Sequence, residues 1–254
     1  MSLRVVITGA SSGIGQALAA EYARRGATLG LIARREQVLQ GFAAGLEVQT
    51  ALYPLDVRDA TGMVRAGEDF CARFGSPDVV IASAGVSAGT STERSADRAV
   101  FQEILDVNVM GMVNTFAPFL PALRAAGAGT LVGIASVAGF RGIPGSGAYS
   151  GSKAAAITYL ESLRVELRGS GIAVVTICPG YIDTPMTRGN PYRMPFMIPA
   201  HVAAGRMVRV IARRRRYAVI PWQMGIVGAI LKMLPRALYD RMFARAPRKP
   251  RRDQ

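Results

Sequence analysis

The stretch LRVVITGASSGIGQALAAEYARR, residues 3–25, decides the fold. Residues 3–8 form a short apolar run of the kind that makes a buried strand. Residues 13–25 carry apolar side chains at helical spacing and stop before Gly26. Between them stand Gly9, Gly13 and Gly15, in a G-x3-G-x-G spacing. Gly9 permits a tight turn, and Gly13 lets backbone N–H groups approach a pyrophosphate. Gly15 allows helix and strand to pack closely, and the helix N-terminus favours negative charge. A plain strand–turn–helix connection has the same outline, so the turn by itself is a moderate signal.

The alternation continues outward from this unit. Strands are expected at 27–34 (ATLGLIAR), 48–57, 77–85, 129–136 and 171–180, and helices at 35–45, 59–75, 97–126 and 148–169. The 97–126 helix should bend at Pro118 or Pro121. The strands are continuously apolar instead of alternating, which predicts a parallel sheet covered on both faces. No internal repeat or linker interrupts the chain, and 254 residues suffice for one large core. Residues 185–200, PMTRGNPYRMPFMIPA, break the rhythm. Their four prolines preclude a regular helix, and their Met, Tyr and Phe side chains suit a substrate lid.

Composition narrows the classes. Two cysteines, Cys71 and Cys178, lack CxxC or Cys/His spacing and read as buried thiols of a reducing compartment. The one histidine, His201, cannot build a metal site or a histidine-based triad, so no metal is expected. There is no signal-peptide pattern and no run of eighteen uncharged apolar residues, which predicts a cytoplasmic protein. The net charge of +14 is concentrated at one end. Residues 200–254 hold fourteen Lys/Arg against two Asp/Glu, leaving 17 against 15 in the first 199. The pI of about 10.8 suggests a nucleic-acid binder, yet no zinc module or RNA-recognition motif is present, and specific nucleic-acid recognition is not expected.

Chemistry enters with AYSGSKAAA, where Tyr149 and Lys153 lie four residues apart on one helix face. An ammonium beside a phenol favours the phenolate, and a tyrosine tuned toward neutrality serves as acid or base on an alcohol or carbonyl. Such pairs also occur on inert surfaces. Ser136, at the end of GTLVGIAS, could bond the same substrate oxygen, and Asn108, flanked by valines, demands partners for its amide. The second strand ends in Ala33, Arg34 and Arg35, where an NAD-preferring site usually has an acid. Two guanidiniums favour a 2′-phosphate, hence NADP(H) over NAD(H).

Together TGASSGIG, LDV, SAG, NVMG, Ser136, YSGSK and PGYIDT, in this order, resemble the short-chain dehydrogenase/reductase family over roughly residues 3–185. The resemblance implies a Rossmann-like, doubly wound α/β sheet of about seven strands. It implies that Tyr149 is the acid/base, that Lys153 lowers its pKa and holds the nicotinamide ribose, and that Ser136 polarises the carbonyl. Asn108 would hold a water linking Lys153 to solvent. Gly9, Ser11, Ser12, Gly13, Ile14 and Gly15 would bind the pyrophosphate side, Asp56 and Val57 the adenine. Ser83, Ala84 and Gly85 would flank the cofactor, and Pro179, Gly180, Ile182 and Thr184 would wrap the nicotinamide. Where the family commonly has Asn-Asn-Ala-Gly, this chain has Ala82-Ser83-Ala84-Gly85, which predicts a weakened brace at that strand end. Members usually form homodimers or homotetramers through the helices near 97–126 and 149–168.

Val86, Ser87, Phe140, Tyr181, Met186, Met194 and Phe196 are the expected substrate-pocket residues. None is a well-placed charge, which disfavours a small anionic acid and favours an apolar, lipid-derived ketone or aldehyde as the small-molecule substrate. Arg141 and Arg188 are candidates to greet an anionic tail, against the plainer reading of surface arginines. The alternatives are a membrane-surface enzyme acting on acyl thioesters or sterols, and a catalytically weak relative used as a binding protein. The C-terminal stretch ARRRRYAVIPWQMGIVGAILKMLP then divides. YAVIP resembles the family's last strand, buried in the sheet, and closes a Rossmann domain of residues 1–221. Residues 222–254 form a basic amphipathic helical extension. Its segment 222–234 is too short to span a bilayer and suits packing on the pocket, on a partner subunit or on an anionic membrane surface.

Overall fold

The computed structural model describes residues 2–251. Strands β1 (Arg4–Thr8), β2 (Thr28–Ile32), β3 (Thr50–Tyr53), β4 (Val79–Ala82), β5 (Gly129–Ile134), β6 (Ile172–Pro179) and β9 (Tyr217–Ile220) form one sheet in the order β3-β2-β1-β4-β5-β6-β9. Every neighbouring pair is parallel. The order reverses between β1 and β4, which opens a crevice at their carboxyl ends. This is the Rossmann-like doubly wound α/β fold expected from the sequence.

Strand alternation feeds two cores. Val5, Ile7, Leu29, Leu31, Ile81 and Val175 face α1 (Gly13–Ala23), α2 (Glu36–Ala43) and α9 (Ala200–Ala212), burying Leu18, Tyr22, Leu39, Met207 and Ile211. Val6, Ile32, Val80, Leu131 and Val174 face α3 (Ala60–Phe74), α5 (Gly111–Phe116) and α7 (Gly147–Glu166), burying Met63, Phe70, Phe116, Leu160 and Leu163. Both faces being covered is why the strands read as unbroken apolar runs.

The long helix expected over 97–126 is instead a relay. Helix α4 (Asp97–Leu105) passes into a π-turn at Asp106–Met110, then α5, a 3-10 turn at Ala117–Phe119, and α6 (Leu120–Ala126). Pro118 and Pro121 lack the N–H groups that a continuous helix needs. The π-turn has a separate cause: Asn108 is drawn out to bond Val86.

Residues 185–200 also hold more order than their prolines suggested. Pro185 opens a single turn, α8 (Pro185–Arg188), at the first position, where no N–H is required. Ile182–Asp183 (β7) pairs with Ile198–Pro199 (β8). Strand β9, expected to be buried, is the sheet edge: Tyr217 is 47% exposed and only Ile220 is fully buried. Arg213–Arg216 form the exposed turn from α9 into β9 and suit the negative end of that helix. Cys178 is buried, but Cys71 is only half-buried, and His201 is exposed at the start of α9. Helices α10 (Gln223–Met233) and α11 (Arg236–Phe243) follow, and residues 244–251 continue without regular structure. Among the described residues no helix is long and apolar enough to cross a membrane, and no cluster suited to a metal occurs.

Candidate active site

A cavity of about 400 Å³ occupies the crevice at the strand ends. All nineteen residues expected at the cofactor line it: Gly9, Ser11, Ser12, Gly13, Ile14, Gly15, Arg34, Arg35, Asp56, Val57, Ser83, Ala84, Gly85, Tyr149, Lys153, Pro179, Gly180, Ile182 and Thr184. Gly9 and Gly13 hold φ of +70° and +56°, the left-handed region that glycine enters without strain. A Cβ on Gly15 would overlap the Gly9 carbonyl, so the first turn of α1 presses directly on the strand end. Ser12, the N-cap of α1, makes no side-chain capping bond, and the first turn holds no acid. Its free N–H groups and the helix dipole therefore suit an anionic group in the cavity.

The arginines frame the far end. Arg35 Nη2 donates to Ser11 Oγ at 3.2 Å, which ties the β2 terminus to the glycine turn. Arg34 lies 3.7 Å from the Asp56 carboxylate, which Arg58 grips more closely at 2.8 and 3.1 Å. Those bonds, with Arg58 contributing most, hold the Asp56 carboxyl below its usual range. Arg34 is thus the looser of the two partners of Asp56.

The expected weak brace after β4 has a substitute. Thr8 Oγ1 accepts from the Ser83 and Ala84 N–H groups at 3.2 and 3.3 Å and donates to the Ile81 carbonyl. Asn108 does the next step. Its Oδ1 accepts from Val86 N at 2.8 Å, and its Nδ2 donates to the Val86 carbonyl and to Ser152 Oγ. The buried amide is fully partnered, as its apolar setting requires. Ser152 in turn donates to the Tyr149 carbonyl, so Asn108 links the β4 loop to the helix turn that carries Tyr149 and Lys153.

Ser136, Tyr149 and Lys153 meet at the other end of the cavity. Ser136 caps the 3-10 turn Val137–Gly139, accepting from Ala138 N at 3.1 Å. Lys153 Nζ donates to the Ile134 carbonyl at 2.9 Å and stands 5.8 Å from the Tyr149 ring centroid. The expected lowering of the phenol's pKa by Lys153 is not what these side chains produce by themselves. Burial pushes the Tyr149 phenol up, and only a bond from Ser136 pulls it back. Burial also pushes the Lys153 ammonium down to about 8. Both groups are therefore drawn toward their neutral forms.

The substrate-pocket expectations divide. Val86 and Met186 line the cavity; Ser87, Phe140, Tyr181, Met194 and Phe196 do not. Phe140 packs on α10, where a Cβ on Gly228 would strike its ring. Tyr181 lies against Tyr192, with ring centroids 6.5 Å apart. Met194 accepts a long bond from Asn190 Nδ2, and Phe196 is half-exposed. The β7–β8 pair and α8 turn this segment outward. Arg141 is engaged by the chain itself: its Nη1 donates to the Lys232 and Leu234 carbonyls at the end of α10, and its guanidinium covers Tyr239. Arg188 pairs with Asp183.

Two contributors had not been singled out in the sequence. Thr8 carries a weak signal, a hydroxyl at the end of an apolar strand. Lys249 carries none. It arrives from the C-terminal tail, with Nζ 2.9 Å from Ser87 Oγ and 5.9 Å from the Tyr149 ring centroid.

Comparison with known proteins agrees with this geometry. Residues 4–193 match the family model described as short chain dehydrogenase. An uncharacterized oxidoreductase of Myxococcus xanthus is 39% identical over 246 residues, 94% of this chain and 96% of that protein. A short chain dehydrogenase/reductase from Burkholderia phymatum, solved with NAD, superposes with a TM-score of 0.80 at 26% identity, covering 98% of this chain and 97% of that one. An alcohol dehydrogenase of Thermococcus sibiricus, solved with 5-hydroxy-NADP, gives 0.74 at 27% identity, covering 87% and 96%. With its sheet order, its glycine turn and this match over most of its length, the chain belongs to the short-chain dehydrogenase family and is a dehydrogenase/reductase enzyme.

Proposed function

We propose that this enzyme is an NADP(H)-dependent oxidoreductase that reduces the carbonyl, or oxidises the matching alcohol, of a small molecule with an apolar, lipid-derived body. The observation that carries the reading is one cavity with Ser136, Tyr149 and Lys153 at one end and Arg34 and Arg35 at the other. The cofactor's adenosine phosphate would meet the two guanidiniums, its pyrophosphate the N–H groups of α1, and its nicotinamide the segment 179–184. When bound, the nicotinamide supplies the hydride chemistry. The chain supplies the rest. Ser136 holds the substrate oxygen, and Tyr149, kept protonated by burial, gives it a proton. Lys153 stands behind it as the next proton source, and Asn108 positions the helix and loop on which both depend. Val86 and Met186 give the cavity its apolar wall.

Titration with NADPH and NADH tests the cofactor half, with tighter NADPH binding expected and equal affinity counting against it. A screen following NADPH absorbance over aldehydes, ketones, quinones, 3-keto acyl thioesters and sterols tests the substrate half. The convergence of the three catalytic side chains disfavours the reading as a catalytically weak binding protein.

We propose residues 1–221 as the Rossmann domain and 222–254 as an extension; of these, residue 1 and residues 252–254 lie outside the described residues, and the extension up to residue 251 packs on the domain while presenting a second, apolar face outward. Met224 is buried against Gly180, whereas Trp222, Ile226, Ile230 and Met233 lie on one exposed side of α10. With Lys232, Arg236 and Arg241 beside them, these residues suit the anionic headgroups of a cytoplasmic membrane surface. Flotation with phosphatidylserine vesicles at low salt tests this, and Trp222→Ser with Ile230→Ser should abolish it. Exposed Phe101, Met110 and Val165 on the helices of 97–126 and 147–166 support a homodimer or homotetramer, which sedimentation would measure. Specific nucleic-acid binding is not part of the proposal.

A further inference from the structure

We propose that Lys249 is a specificity-determining residue that selects carbonyl substrates bearing an anionic group, a carboxylate, sulfonate or phosphate, a few bonds from the reacting carbon. The inference rests on the reductase reading above and refines its substrate class: an apolar body with one acidic group. None of the seven pocket residues expected between 86 and 196 carries a charge, but residue 249 does. Its Nζ stands beside Ser87, the neighbour of cavity-lining Val86, and faces the Tyr149 ring.

Four contacts hold the tail in this position. Gly89 N donates to the Pro250 carbonyl at 2.9 Å, and a side chain on Gly89 would collide with the Lys249 carbonyl. The Arg248 stem lies on Gly145. Arg251 pairs with buried Asp97 at 3.7 Å. Upstream, Tyr239 Oη donates to the Gly142 carbonyl at 2.7 Å, which fixes α11 over the loop that follows Ser136. The tail thus bridges the 86–91 and 140–146 loops, the two that border the catalytic end.

The ammonium is half-buried, and among the described residues no carboxylate is within ion-pair distance of it. Among the described residues its one hydrogen-bond partner is a neutral hydroxyl, Ser87 Oγ. Asp97, which meets the tail at Arg251, also accepts from Ser91 N. A partly desolvated cation with no counter-ion among the described residues is costly, and an anionic ligand removes that cost. Burial correspondingly pushes the Lys249 ammonium down.

The test compares ortho-, meta- and para-carboxybenzaldehyde with their methyl esters, using NADPH. For at least one position wild type should prefer the acid in kcat/KM, and Lys249→Met should lower the acid-to-ester ratio about ten- to a hundredfold. Lys249→Arg should restore much of it. Arg245→Met removes the same charge from an exposed site on the same tail and should leave the ratio alone. A preference for the ester at every position, or an unchanged ratio in Lys249→Met, overturns the proposal. Calorimetric binding of the same acids to the NADP-loaded enzyme decides the case without turnover: binding must be present and must weaken in Lys249→Met, and its absence or equality overturns the proposal. Activity retained in Tyr149→Phe would instead overturn the reductase reading.

Discussion

The two ends of the cavity are built differently. The cofactor end draws on β1, its glycine turn and the close of β2, with most of its residues between 9 and 57. There the chain's own geometry does the positioning: left-handed glycines, a helix N-terminus and two arginines at a strand end. The catalytic end is assembled from loops near 86, 136 and 179 and from α7, and beside it lies a tail that begins almost a hundred residues beyond Tyr149. A strand–turn–helix unit can be read in one window of sequence. A site whose walls come from four distant segments cannot.

The largest expected effect falls at the catalytic end. Tyr149→Phe should lower turnover about 10²- to 10⁴-fold while NADPH binding, followed by fluorescence, stays near wild type. A loss of both would erase the division between the two ends. The complementary change is Arg34→Ala with Arg35→Ala. It should reduce the NADPH-to-NADH preference about ten- to a hundredfold in Kd and leave the NADH rate comparatively unaffected. An unchanged ratio would mean that the arginines are only solvated charges.

Thr8→Val probes the joint between the ends. It removes the acceptor for the Ser83 and Ala84 N–H groups and should cost about 1–3 kcal/mol in denaturant unfolding. A neutral result would show that the strand end after β4 is held elsewhere.

The smallest effect is a pH trend. The Lys153 pKa is depressed from 10.5 to about 8, so between those values the unfolded chain binds more protons than the folded one. Stability from this group therefore rises with pH across that window, and its penalty is fully present below about pH 8. The difference in unfolding free energy between wild type and Lys153→Met should shift in favour of wild type from pH 8 to 10. A flat difference would mean that the Ile134 carbonyl and neighbouring dipoles compensate the buried ammonium.

Legibility followed the range of the interactions. Apolar runs, glycine punctuation and helical spacing are local, and they specified the order of strands and helices, the parallel sheet and the residues around the glycine turn. The π-turn at 106–110 was not legible, because it depends on Asn108 reaching Val86, twenty-two residues away. The substitute brace by Thr8 depends on residues 75 positions distant. Phe196 and Met194 looked like pocket residues by composition, but neither lines the cavity: Phe196 is half-exposed, and half-buried Met194 lies against Asn190. For Arg141 the sequence left a ligand contact and a plain surface arginine both open, and the fold engages it at the end of α10.

What the sequence determined by itself was the fold, the dehydrogenase family resemblance and the chemistry available at Tyr149, Lys153 and Ser136, since each follows from residue type at fixed local spacing. What only the tertiary structure decided was which side chains stand beside Tyr149 at that end of the cavity. Lys249 is one more basic residue in a basic tail until the chain folds back across Gly89 and Gly145. Its position is set by packing between segments that sequence spacing does not relate.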